Sequence, residues 1–233
     1  MKKIVVPILI VLMLFTLATS TLANSSIYLD YMVDGKMDSP VPNMTNLSND
    51  NYSAIGGKYQ LSNKWSISGE YTSGKMFRIL AFYDFGVNYV RIEDEITTYN
   101  IKGGYNVIDN KDLRLDLSAG YYNDNEKYRA REMDICDLEF ESIFLGADAL
   151  FNITKNITVS AGFEYGISGE VTAKVDNIKE TDDLDSLFNY KVGFNYYLTK
   201  QLGISLGYRS SSYEVDDGKT TSSGVTTGVT YKF

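Results

Sequence analysis

The chain has no histidine, one cysteine and three prolines in 233 residues. Without histidine, a Ser-His-acid catalytic arrangement is excluded, and so is any metal site built on imidazole. Cys136 alone cannot form an intrachain disulfide or a thiolate metal site. With no imidazole to activate it, it is also a poor candidate nucleophile. Basic residues are in deficit: 22 Lys and Arg stand against 30 Asp and Glu, a net charge of −8. Nucleic-acid binding rests on Lys and Arg meeting phosphates, so this balance argues against a nucleic-acid partner. A Gly-rich phosphate loop, an EF-hand spacing and any other cofactor motif are missing too, so no cofactor and no metal is expected. Acidic groups do occur together, as "EDE" at 93–95, "DICDLEFE" at 134–141 and "ETDDLD" at 180–185. Ordinary solvated charge explains them most simply, with weak divalent-cation binding as the functional alternative.

Long apolar runs are missing after the first two dozen residues. The opening "MKKIVVPILIVLMLFTLATSTLA" has a basic start in Lys2 and Lys3, an apolar stretch from Ile4 to Leu17, and a small-x-small site at Thr21-Leu22-Ala23. These are the three parts of a secretory signal. The stretch falls short of the roughly 18–20 residues a spanning helix needs, and Pro7 interrupts it. Residues 1–23 are therefore read as a cleaved signal peptide and 24–233 as one mature domain. No cysteine stands at the end of the apolar stretch, so a lipoprotein would lack its acceptor. Cleavage would remove two lysines and no acid, leaving the mature chain still more acidic. Beyond Ala23 nothing can cross a bilayer as a helix, so a membrane role would need strands.

What is present is alternation. In "LRLDLSAGYY", Leu113, Leu115, Leu117, Ala119 and Tyr121 share one face, and Arg114, Asp116, Ser118, Gly120 and Tyr122 the other. Successive side chains of a strand point to opposite sides, so this is a strand with one apolar and one polar face. "ITVSAGFEYGIS", "LGISLGYR" and "WSISGEYT" repeat the pattern. Each is preceded by a short polar turn, "SNK", "DNKD", "TKN" or "TKQ", and by a partner strand such as "YSAIGGKYQL". The unit is a β-hairpin with a tight connection. The hairpins are joined by long charged segments, read as loops at about 34–51, 73–96, 123–137, 172–186 and 216–221. Four tight turns imply eight strands, and the terminal segments "SSIYLDYMV" and "TTGVTYKF" make ten. The strand-like stretch 75–95 leaves eight or twelve open; it is best placed as a hairpin extension above the membrane.

Short turns alternating with long loops are a property of transmembrane β-barrels. A soluble secreted barrel or sandwich would alternate with the same period, with its apolar face inward. Aromatic residues gather near both ends of the strands: Tyr59, Trp65, Tyr105, Phe151, Tyr196 and Tyr197 by the tight turns, and Tyr71, Tyr121, Phe163, Tyr165 and Tyr208 toward the loops. Amphipathic rings favour the two membrane interfaces. With the signal, the hairpins and a final strand alternating up to Phe233, the chain resembles a bacterial outer-membrane β-barrel protein of the small porin-like, opacity-protein or OmpA-like type. The resemblance implies an all-β, single antiparallel up-and-down barrel of about ten strands in the bacterial outer membrane. It implies contact with outer-membrane lipid and lipopolysaccharide, and Tyr231 and Phe233 as the signal read by the barrel-insertion machinery. Known enzymes of this kind, the omptin proteases and the lipid acyl hydrolases, rely on a histidine that this chain lacks, so no enzyme is expected.

In such a barrel the polar face turns inward. That phase places Asp30, Lys58, Glu70, Lys102, Arg114, Asp116, Asp148, Glu164, Lys191, Arg209 and Lys232 in the lumen. The signs nearly balance, which fits either a salt-bridge network that fills the barrel or an eyelet that sorts ions or small solutes. Many inward positions are glycine, leaving either a channel or room for larger side chains to fold across. Two functions follow: a narrow porin-like passive channel for small solutes or ions, or a closed structural or adhesin-like barrel acting through its loops.

Overall fold

The computed structural model describes residues 25–38, 44–82, 88–130, 133–176, 178–215 and 218–233. The segment read as a signal peptide lies outside the described residues. Among the described residues eleven strands follow one another: β1 (Ser26–Asp38), β2 (Met44–Gln60), β3 (Trp65–Phe82), β4 (Asn88–Asp109), β5 (Leu113–Ala130), β6 (Met133–Asn152), β7 (Ile157–Val175), β8 (Ile178–Asp183), β9 (Ser186–Tyr197), β10 (Leu202–Val215) and β11 (Gly218–Lys232). All except β8 form a closed antiparallel ring, because β6 pairs with β7, β7 with β9, and β1 with β11. The β1–β11 seam runs from Ser26↔Lys232 to Asp38↔Thr221, and the Phe233 N–H donates to the Ser25 carbonyl at 3.0 Å. Among the described residues the ring thus has the ten strands expected from the turns, with both described ends of the chain on the turn side.

One small device explains the repeated turn. At the head of each turn a Ser, Thr or Asn oxygen accepts the N–H groups two and three residues on. Ser62 does so for Lys64 and Trp65, and Asn110 for Asp112 and Leu113. Thr154 does so for Asn156 and Ile157, and Thr199 for Gln201 and Leu202, at 2.9–3.3 Å across the set. The side chain mimics a backbone turn and satisfies two donors that the ladder cannot reach. Thr154→Ala is expected to lower stability by only about 0.5–1 kcal/mol, since water replaces the lost acceptor at this exposed turn. The urea midpoint of the refolded barrel checks this.

The outward faces are apolar and the interior polar. Leu117, Leu145, Phe163 and Leu206 stand outward and exposed, whereas Asp116 and Glu164 are buried inside. A soluble barrel would reverse this distribution; lipid is the solvent it fits. On β5 the apolar outward face ends at Tyr121 and continues as Asn123 and Asn125; on β6 it ends at Ile143, above which come Glu141 and Glu139. Rings mark both edges of the band. Trp65 and Tyr105 meet edge-on at 4.9 Å near the turns, and Tyr71 and Tyr99 at 5.1 Å toward the loops. Tyr197 departs from expectation: it is buried, facing inward, with the Lys232 ammonium 3.8 Å from its ring centroid.

The long charged segments are mostly strand rather than loop. β3 and β4 stay paired from Trp65↔Tyr105 to Phe82↔Asn88, the hairpin extension expected for 75–95. β5 and β6 pair up to Ala130↔Met133, and β10 and β11 up to Val215↔Gly218. Cys136, read as a loop residue, sits in β6 opposite Tyr128. Above the membrane the outward face is polar, as at Asn123, Glu139 and Glu141, while the inward face mixes buried acids with apolar residues, so no two-residue hydrophobic period marks it. One hairpin leaves the ring: above Tyr165↔Phe188, β7 parts from β9 and pairs with β8 instead, from Glu170↔Asp183 to Val175↔Ile178.

Candidate functional site: the barrel lumen

Because the strands hold their phase across the membrane, every inward polar residue meets the others in one space. The lumen contains a cavity of about 530 Å³. All eleven charged residues expected to face inward line it: Asp30, Lys58, Glu70, Lys102, Arg114, Asp116, Asp148, Glu164, Lys191, Arg209 and Lys232. It extends from Lys232 and Asn152 near the turns to Glu126 and Tyr213 near the loops.

Most of these charges are paired, and the pairs reach across the lumen. Nearest the turns, Asp116 takes the Lys58 ammonium, the Arg114 Nε at 3.1–3.2 Å and the Asn106 amide at 2.7 Å. In the middle, Lys102 Nζ lies 2.6 Å from Asp148 and 2.9 Å from Glu164, whose other oxygen accepts from Asn100 at 2.9 Å and Asn189 at 3.3 Å. At a third place Arg209 pairs with Glu70, which also accepts the Tyr28 hydroxyl. Lys58 and Asp116 stand on β2 and β5, Lys102 and Glu164 on β4 and β7, and Arg209 and Glu70 on β10 and β3. The partners are thus three or four strands apart around the ring. Such networks satisfy buried charge that would otherwise be costly.

The balance is not complete. Asp30 accepts the Ser205 hydroxyl at 2.9 Å rather than a cation. Lys191 makes no ion pair among the described residues and stands exposed in the lumen. The inward glycines serve side chains that fold across them: a Cβ on Gly120 would strike Phe144, and one on Gly162 would meet Asp148 and Lys191. Tyr231 and Phe233 pack edge-on at 5.2 Å at the end of the chain.

A second group lies at and above the loop-side edge of the apolar band and was not among the residues singled out from the sequence, because its acids Asp124 and Glu126 fall in the 123–137 segment read as loop. Asp124 is buried there, accepting from Thr98 at 3.0 Å and Tyr122 at 3.3 Å, with Glu126 two residues on. Burial, and then the Glu126 carboxylate, push the Asp124 carboxyl up to about 8. An acid with a raised native value binds its proton more tightly folded than unfolded. Its contribution is full below the ordinary aspartate value of about 4 and is lost as pH rises through about 8. Stability against urea is therefore expected to fall between pH 5 and pH 8, and Asp124→Asn to flatten that dependence.

Against known proteins, the model of the outer membrane protein beta-barrel domain family matches residues 79–233. No curated protein matches the sequence. Among solved structures the chain is similar to the outer membrane protease OmpT of Escherichia coli, with a TM-score of 0.65 and 12% identity, over 93% of this chain and 99% of that one. Neisserial surface protein A follows with a TM-score of 0.45 and 14% identity, over 90% and 97%. Ail, the attachment invasion locus protein of Yersinia pestis, gives 0.42 and 14%, over 91% and 99%.

Proposed function

Because the chain belongs to the outer membrane protein beta-barrel domain family and lies in the bacterial outer membrane, we propose that it is a narrow passive pore for ions or small solutes. The observation that carries this reading is the charged cavity, which follows the barrel axis from Lys232 to Glu126. Water in such a lumen keeps charged side chains solvated, and ions or small polar solutes share that path. A ten-stranded ring is near the size that side chains can fill, well below the 16–18 strands of wide porins, so large solutes are excluded. No catalytic role is assigned: the histidine on which barrel hydrolases depend is missing. Lipid and lipopolysaccharide would surround the apolar band, and Tyr231 and Phe233 would address the insertion machinery.

The ion pairs that cross the lumen favour a second reading, a closed barrel acting through its extracellular strands. Swelling of proteoliposomes in sugars of graded size separates the two. The pore reading expects swelling with the smallest solutes and none with oligosaccharides. No swelling with any solute would favour the closed barrel.

A further inference from the structure

The loop-side mouth of the lumen is built differently from the rest. Where β7 leaves β9, the chain recrosses through Leu184 and Asp185, whose N–H groups donate to the carbonyls of Gly169 and Glu214, both at 3.0 Å. The recrossing carries Leu184 and Leu187 inward, into a buried cluster with Phe140 and Phe144. Two glycines of β7 make room for them. A Cβ on Gly169 would lie 2.9 Å from Leu184 Cδ2, and one on Gly166 2.9 Å from Leu187 Cβ. Against this cluster lies Tyr213 of β10, which reaches across the ring. Its ring centroid is 4.1 Å from that of Phe140 on β6, and its hydroxyl is 3.3 Å from both carboxylate oxygens of Glu126 on β5.

We infer that Tyr213 is a bar across the loop-side mouth, seated on Phe140 and tied to Glu126, and that it sets the size of what enters the lumen. This deepens the pore reading and rests on it for its function, while the obstruction itself is a separate claim. β10 is three strands from β6 and four from β5 around the ring, so a side chain touching both must cross the opening. Tyr213 also lines the cavity, which places the bar at that end of it rather than within the wall. An aromatic contact and a hydroxyl–carboxylate bond are each weak beside the ion pairs below, so the bar yields to thermal motion and acts as a steric filter. The glycine-seated leucines pack the platform beneath the ring.

The test uses a thiol just below the bar. Ser211 lies two residues before Tyr213 on β10, lines the cavity and donates to Asn189 at 2.6 Å. In refolded protein carrying Cys136→Ser and Ser211→Cys, a charged methanethiosulfonate should react slowly. Adding Tyr213→Ser should raise the rate at least tenfold, whereas Tyr213→Phe, which keeps the ring, should raise it far less. Tyr213→Val serves if the serine variant fails to show the heat-modifiable gel mobility of a folded barrel. A rate unchanged on removing the ring overturns the inference. Conductance recorded on the same variants keeps the two claims apart: faster labelling with every variant electrically silent would retain the bar and refute the pore.

Discussion

Leu117→Arg is expected to destabilise the folded barrel by about 2–4 kcal/mol, the cost of an arginine facing lipid near the bilayer midplane. Leu117 is outward and half exposed at mid-strand on β5, with Leu145 and Phe163 near it in the apolar band. Ser205→Arg, on the inward face of β10, is expected to cost far less. Its side chain enters the lumen beside Asp30, which accepts only a hydroxyl at this contact and can receive a guanidinium instead. Urea titration in lipid vesicles measures both, with Trp65 as the reporter. It is the sole tryptophan and stands outward in the turn-side girdle, so its emission shifts as it leaves lipid. Equal costs for the two arginines would show that the two faces do not meet different solvents.

Arg209→Met is the second large effect. It strands Glu70, which is also held by Tyr28, with no guanidinium partner. Breaking one side of a buried pair costs roughly 3–5 kcal/mol. Here the cost should fall toward the low end, since the two side chains keep 30% and 15% of their surface exposed to the lumen. Glu70→Gln added to Arg209→Met should recover most of the loss, because the pair is then removed together rather than orphaned. In the pore reading the crossing contact is already lost in the single variant, so conductance should rise above the parent in both variants, while stability recovers only in the double. An additive, uncoupled double variant would mean that the two groups do not interact.

The lumen was legible in the sequence because period-two alternation is a strict rule in a membrane. Each of Lys58, Lys102, Asp148 and Arg209 can be assigned to a face from its neighbours alone, since a one-residue slip would put a charge into lipid. Strand number was legible for the same reason, through four polar turns at matching places. Pairing was not legible. Nothing in the sequence says that Arg209 meets Glu70 rather than Asp30, because that depends on ring order and on the stagger of strands about a closed barrel. Nor did alternation reach above the membrane. Asp124 and Glu126 were absorbed into a loop because their outward neighbours Asn123 and Asn125 are polar and no hydrophobic period marks the strand there; Tyr213 lies just before the 216–221 segment, and nothing in the sequence marks its reach across the ring. The oxygens of Ser62, Asn110, Thr154 and Thr199 left a signal that could have been read: each polar turn opens with a residue able to accept from its own backbone two and three places on.

A continuous, narrow path through the lumen would be visible in single-channel recording of refolded residues 24–233 in a planar bilayer. The expected result is small, steady, stepwise conductance that grows when Glu70→Gln and Arg209→Met are combined. A barrel shown by heat-modifiable mobility to be folded, yet silent with and without those substitutions, would contradict it.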